Sequence, residues 1–565
     1  MHKNLLVFSC FLITICLAVL SCTPQEPGTP ATEGVSLAVV NAKIWTGDPS
    51  QPWAEALAAN GERITAVGSN AQIEELAGEA QVLDAGGRLL VPGFIDTHLH
   101  FISGGFGLSS VQLRDAATPE EFTARIQAFA ATVPPGTWIL EGTWDHELWG
   151  GELPRRDWID EVTPDHPVWV GRLDGHMALA NSAALKAAGI NKDTEDVEGG
   201  TIVRYDNGEP TGIFKDNAME LIYPAIPEPS QEMKDRALDA AMKHVNEQGV
   251  TSVHHVGSWG HLETFARAWK TGRLSTRIYD SVPLSTWERL RDTVAAGEYG
   301  GPDGRGDVWL RIGGLKGFVD GSLGSHTAAF FDPYTDEPDD SGFYINTEED
   351  LYEWISGADE AGLHALVHAI GDRANSMLLD TYERVAEENG ERDRRFRIEH
   401  AQHLAPSDLA RFAELGVIPA MQPYHAIDDG RWAERLIGPE RLKGTYAFRS
   451  LLDAKAKLVF GSDWSVAPAT PVEGIYAAVT RRTLDGATPD GWMPEEKISV
   501  EEALAAYTVT AAYASFEEDE KGTLSAGRLA DFVILERDLF SIPVEELRDV
   551  KVDVTVVGGK VVFER

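Results

Sequence analysis

Leu90-Val91-Pro92-Gly93-Phe94-Ile95-Asp96-Thr97-His98-Leu99-His100 decides how the rest of the chain is read. An apolar run, broken once by Pro-Gly, ends in His-x-His. In an extended strand residues i and i+2 face the same way, so His98 and His100 can share one cation. With 16 His in 565 residues, about half an H-x-H match is expected by chance. The pair therefore counts only for its place, at the C-terminal end of an apolar strand, where barrel active sites are assembled.

Downstream, short apolar runs alternate with helical patterns, as βα repeats do. Strands are expected at 90–95, 251–256, 276–281, 311–317, 363–368, 395–400, 417–421 and 457–461, which makes an eight-stranded TIM-type (β/α)8 barrel over about 92–518. Residues 104–225 far exceed a normal βα connection of ~2–6 residues and are expected to form an inserted domain. The flanks, 35–91 and 519–565, carry β-type runs broken by Gly and Asn turns, which suggests one small β-domain closed by both chain ends. Four more strand ends carry chemistry: Lys316, His368, His400 and Asp463.

The N-terminus reads as an export signal. His2 and Lys3 precede an uncharged run from Leu5 to Leu20, shorter than the ~20 residues of a spanning helix. Leu20-Ser21-Cys22 resembles a bacterial lipobox, giving a signal peptide over 1–21, lipid on Cys22 and a tether over 22–34. The same segment retained as an anchor helix would export the globular part equally, so in either case the body faces the periplasm or the cell exterior. Cys10, Cys16 and Cys22 are the only cysteines, which removes disulfides, thiolate nucleophiles and Cys-ligated zinc from the mature body. A formal charge of −40 argues against nucleic acid as a partner.

The order H-x-H, Lys, His, His, Asp resembles the amidohydrolase superfamily. Leu173-Asp174-Gly175-His176 with Asn181-Ser182-Ala183-Ala184-Leu185, Asp320-Gly321-Ser322-Leu323-Gly324-Ser325, His368-Ala369-Ile370-Gly371-Asp372 and Glu399-His400-Ala401-Gln402 look like its amidohydrolase 3 branch, which includes N-substituted formamide deformylase-like proteins. The resemblance runs from about residue 35 to the C-terminus. It implies a metal-bearing barrel, a β-sandwich made from both chain ends and an insertion after the first strand. It also implies His98 and His100 on one metal, His368 and His400 on a second, a carboxylated Lys316 bridging them, and Asp463 as ligand and proton shuttle. Lysine needs the modification because an ammonium has no lone pair for a cation. Two Zn2+ suit His and carboxylate donors best; Mn2+, Fe2+ or a single ion fit the same set.

The expected reaction is hydrolysis of a non-peptide C–N bond in an amide, formamide or cyclic amide of a small-molecule substrate. Water acidified near the metal attacks a polarised carbonyl, and Asp463 passes the proton to the leaving amine. His176 is the candidate for steadying the oxyanion, and Asn181, Gln422, Tyr424, His425 and Trp464 are candidates for contacting substrate. His254, His255 and His403 are rival ligands. The tryptophans Trp138, Trp144, Trp149 and Trp158 read as the insertion's own core. Two other classes stay open: a lipid-anchored binding protein on the same scaffold without turnover, and a deaminase or esterase of the same superfamily.

Overall fold

A computed structural model describes residues 34–565, so the signal segment and Cys22 lie outside the described residues. Eight parallel strands form one sheet: β1 (Phe94–Leu99), β2 (Val250–Val256), β3 (Arg277–Pro283), β4 (Leu310–Phe318), β5 (His364–Ala369), β6 (Arg397–His400), β7 (Ile418–Met421) and β8 (Val459–Phe460). They pair in sequence order from β1 to β8. β8 is only two residues long, and the cylinder is shut just beyond it. There Asp463 N donates to His98 O at 2.7 Å and His100 N donates to Trp464 O at 2.6 Å. Gly461 permits that approach, since a Cβ there would lie 2.6 Å from His98 N. Helices alternate with the strands. Asp372–Asn389, after β5, buries Ala374, Met377, Leu378, Thr381, Tyr382 and Val385, a spacing of three and four that keeps one face on the sheet.

The strand expected at 90–95 is two strands in two sheets. Leu89–Pro92 belongs to a six-stranded sheet, pairing with Lys43–Trp45 and Phe532–Leu535, and β1 begins only at Phe94. Proline ends the first ladder because it has no N–H to give. Glycine must follow, since a Cβ on Gly93 would lie 2.2 Å from Thr251 Oγ1.

That six-stranded sheet also holds Trp53–Ala54, Val552–Val557 and Lys560–Glu564, the last two joined as a hairpin. Facing it is a four-stranded sheet of Leu37–Val40, Ala56–Asn60, Arg63–Gly68 and Gln81–Asp84. Leu37, Val39, Ile44, Leu57, Leu90, Phe532, Ile534 and Val556 make the core between them, so both chain ends build one sandwich. Between Leu37–Val40 and Lys43–Trp45 the chain passes from one sheet into the other at Asn41, whose φ is 54°.

Between β1 and β2 the insertion builds a five-stranded sheet from Ile139–Trp144, Val168–Arg172, Met177–Ala180, Gly200–Arg204 and Pro210–Asp216. Trp144 packs in a core with Phe122, Ile126 and Val170. Trp149 and Trp158 lie against the same core, and Trp138 against a second one.

Barrel and sandwich are fastened by a buried ion pair. Arg277, at the start of β3, reaches Asp531 with Nε at 2.6 Å and Nη2 at 3.0 Å, and Gly558 N donates to the same carboxylate at 2.7 Å. Asp531 also accepts at its carbonyl from Gly93 N, at 3.0 Å. Removing one partner of such a pair strands the other charge. Asp531→Ala should lower stability by about 3–5 kcal/mol, read as a shift in urea midpoint, without moving the barrel's own donors.

Candidate metal centre

The donors converge at the C-terminal rim of the barrel. His98 is fully buried inside β1. Its Nδ1 is bonded to Glu399 Oε2, which leaves Nε2 aimed at the centre of the rim. Arg397 fixes Glu399 with Nη2 at 3.0 Å from the same oxygen. It also donates to Thr97 O at 2.6 Å and lies 2.9 Å from His254 Nδ1.

Asp463 follows β8, with backbone in the left-handed region at φ 59°. Its Oδ1 lies 3.6 Å from His98 Nε2 and 3.4 Å from His100 Nε2, and its Oδ2 lies 4.0 Å from His400 Nδ1. That Oδ1 is buried and has no hydrogen-bond partner. Burial works against its charge, and positive charge at His98 or His100 pulls the carboxyl down to about 2. His400, also left-handed at φ 73°, is set by Gln422 Oε1, 2.9 Å from its Nδ1. Such backbone costs about 1–3 kcal/mol per residue and collects where function over-determines geometry.

Lys316, on β4, brings Nζ to 3.3 Å from His98 Nε2. Burial pushes this amine down to about 8. His368, on β5, packs its ring 4.5 Å from that of His400, with Nε2 at 2.9 Å from Gly321 O. One ligand atom from each of His98, His400 and Asp463 lies within 4.8 Å of the others. Burial holds His98, His400 and His368 far below the usual imidazole range, hence neutral with lone pairs to offer. Neutral imidazoles around an anionic oxygen with no donor fit a divalent cation.

The pocket above the rim is walled by the insertion and the barrel loops. His176 lines it, with Nδ1 at 2.6 Å from Asp216 Oδ1 and its ring 4.9 Å from that of His368. Burial lowers its proton affinity, but Asp216 more than offsets this and carries it above the ordinary value. His425 lines the pocket too, and its Nε2 is buried without a partner.

Other expected contacts are used elsewhere. Asn181 caps the helix Ser182–Ala188, accepting from Ala184 N and Val168 N. Its amide-bearing motif is therefore a structural one. Gln422 acts on His400 and does not line the pocket. Trp464 stacks on His244 at 4.9 Å, behind the rim. Tyr424 lies beneath the Arg114 guanidinium. Among the rival ligands, His254 is bonded to Arg397, His255 Nδ1 accepts from Phe101 N, and His403 Nδ1 is bonded to Thr445.

The sequence reading passed over the charged wall. Arg172 Nη1 lies 2.6 Å from Asp174 Oδ2, whose carboxylate also accepts from Ser322 and Ser325. Asp145, Asp428, Asp429 and Trp432 complete that wall. Asp174 stood inside the quoted Asp-Gly-His segment, so part of the signal was present; the others, at the end of the strand Val168–Arg172, in the last turn of the helix Pro423–Asp429 and on the loops beside them, carry no motif.

The model of the amidohydrolase family matches residues 81–563. The chain belongs to the amidohydrolase family. It is 42% identical over 94% of its length to protein LONG AFTER FAR-RED 3 of Arabidopsis thaliana, covering 92% of that protein. It is 29% identical to the N-substituted formamide deformylase of Arthrobacter pascens, over 94% of this chain and 99% of that one. A solved structure described as an uncharacterized metal-dependent hydrolase from Pyrococcus furiosus superposes with a TM-score of 0.69 at 30% identity, covering 89% of this chain and 99% of that one. This amidohydrolase is thus a hydrolase of the superfamily whose rim accepts a divalent metal.

A metal held by His98 would be affected by Glu399, which is bonded to the far nitrogen of that ring. Carboxylates behind a ligating imidazole fix its tautomer, and losing one costs about 10–100-fold in metal affinity. Glu399→Gln should raise the metal dissociation constant by that factor in chelator competition, while Glu399→Asp recovers part of it.

Proposed function

We propose that this amidohydrolase hydrolyses a non-peptide C–N bond in a small amide, formamide or cyclic amide. The observation that carries the reading is the buried, undonated Oδ1 of Asp463 beside the Nε2 atoms of His98 and His100. A carboxylate in that position is both a cation ligand and a proton acceptor within reach of an attacking water.

His98 and His100 would hold one Zn2+ and His368 and His400 a second, and Lys316, once carboxylated, would supply an anionic oxygen donor to them. The closeness of the Lys316 amine to His98 supports it. When bound, the cations acidify water and polarise the substrate carbonyl. Asp463 would accept the water's proton and pass it to the leaving nitrogen, as a carboxylate within reach of both can. His176, held by Asp216, donates toward the carbonyl oxygen as negative charge grows there. The wall from Arg172 to Trp432 shields the reacting atoms from bulk water.

Asp463→Asn should lower kcat about 10²–10⁴-fold with the circular dichroism spectrum unchanged. Wild-type turnover in that variant would remove the proton relay. Chelation should abolish hydrolysis of an amide and formamide panel, and added Zn2+ or Mn2+ should restore it. A metal-loaded protein that binds these compounds and turns none over would favour a binding protein on the same scaffold.

The export reading belongs to the same proposal: lipid on Cys22 anchors the enzyme to a membrane, facing the periplasm or the cell exterior. Cys22→Ser should shift the protein from the membrane to the soluble fraction or leave the leader uncleaved. Unchanged fractionation with normal processing would overturn the anchor.

A further inference from the structure

The charges of the pocket wall can be paired off one by one. Asp174 is matched by Arg172 at 2.6 Å. Asp145 is matched by Arg172 at 3.5 Å and Arg431 at 3.3 Å. Asp428 is bonded to Arg431 and lies 3.4 Å from Arg114. Asp429 differs. Its Oδ2 accepts from Tyr446 Oη at 2.5 Å and Gln402 Nε2 at 2.8 Å, both neutral donors. Among the described residues no Lys, Arg or His nitrogen forms an ion pair with it. A carboxylate shielded from water favours a counter-charge in contact with it; burial pushes this half-buried one up to about 8, although Tyr446 and the more distant Arg172 and Arg431 pull it down.

Asp429 lines the pocket, and so does Trp432, whose indole is partly buried in the core beneath. Tryptophan offers the most favourable aromatic face to a cation. Phe318, Leu323 and Val466 give the same pocket an apolar lining, suited to the carbon stem that would separate a cationic group from a scissile amide. The formal charge of −40 over the whole chain concentrates small cations near such a cleft and disfavours anions.

We propose that Asp429 and Trp432 form a subsite for a positively charged group on the substrate, an alkylammonium, amidinium or guanidinium carried on the nitrogen side of the bond to be cut. This rests on the hydrolase reading only in placing the scissile bond; the subsite itself is a binding property. The cation supplies the counter-charge that the wall lacks at Asp429. Its stem lies along the apolar lining, and the carbonyl end is directed to the metal centre. The preferred substrates are N-acylated or N-formylated diamines and their amidine or guanidine counterparts, in preference to N-acyl amino acids, whose carboxylate meets Asp429 with the same sign.

The test compares two compounds of nearly equal shape, N-acetyl-1,4-diaminobutane and N-butylacetamide, by calorimetric binding to the metal-loaded full-length protein. The charged compound should bind at least ~10-fold more tightly. Asp429→Asn should bring that ratio close to one, and Trp432→Leu should lower it by several-fold. Equal binding of the two compounds to wild type overturns the subsite and needs no variant to fold. A preference that survives undiminished in folded Asp429→Asn also overturns it. Selective binding of the charged compound without hydrolysis of either keeps the subsite and removes the hydrolase reading, so the two failures are told apart.

Discussion

A carboxylate with no access to water lies directly behind the metal centre, and the centre depends on how its charge is met. Glu399 is held between the guanidinium of Arg397 and the imidazole of His98. An unpaired charge at that depth would drive the fold apart or lose its ionisation. Paired, it fixes which nitrogen of His98 faces the rim, and that nitrogen is the point around which Lys316 and Asp463 are measured. The arrangement extends in both directions along the barrel interior. Below it, Arg397 reaches His254, while Lys521 lies 2.7 Å from Ser252 Oγ and 2.9 Å from Glu517. Polar groups therefore occupy parts of an interior that barrels usually fill with branched apolar layers.

Closure of the cylinder and assembly of the rim are the same event. β8 contributes little ladder of its own, and the seam is made by the backbone of His98 and His100 with Asp463 and Trp464. Two ligand-bearing residues of β1 and the carboxylate after β8 are thus brought into register by hydrogen bonds of the chain itself. Misplacing Asp463 would open the barrel as well as the site. The second half of the site is built differently. The insertion meets the barrel loops through side-chain ion pairs, Arg431 with Asp145 and Arg435 with Glu147 at 2.6 Å among them. Of these only Arg435 is well exposed, and its pair is weaker and more salt-sensitive than a backbone seam.

That difference explains how much of the molecule could be read in advance. All eight barrel strands overlap their expected segments, because short β-type runs alternate with helical patterns and five of the eight end beside a residue with distinctive chemistry. The donors His98, His100, Lys316, His368, His400 and Asp463 stood at those ends and meet at one rim. The strand Ala56–Asn60 was missed, since its alanines carry no β signature. The run 90–95 was read as one strand because a Pro-Gly break does not say which sheet each side joins. Asn181 and Trp464 were misjudged as substrate contacts for a related reason: a motif shows which residues stand near a site and not which way they point. Asp429 and Trp432 had no marker at all, since residues at the junction of two helices gain their meaning only from neighbours distant in sequence.

Metal donors and wall residues thus reach the same cavity from separate parts of the chain. The donors sit on strand ends whose positions are fixed by ladders on both sides. The wall comes from the insertion and from the segment after β7, where side chains pair with one another and one carboxylate is left over. Changing the wall leaves the ladder untouched, so the bond that is cut and the group that is recognised can vary separately on this scaffold. Relatives can therefore match almost the full length of this chain without that length dictating one substrate. Members of such a set can differ in the side chains above the rim while keeping the ladders below it, and in this protein Asp429 is the wall carboxylate with no cationic side chain in contact.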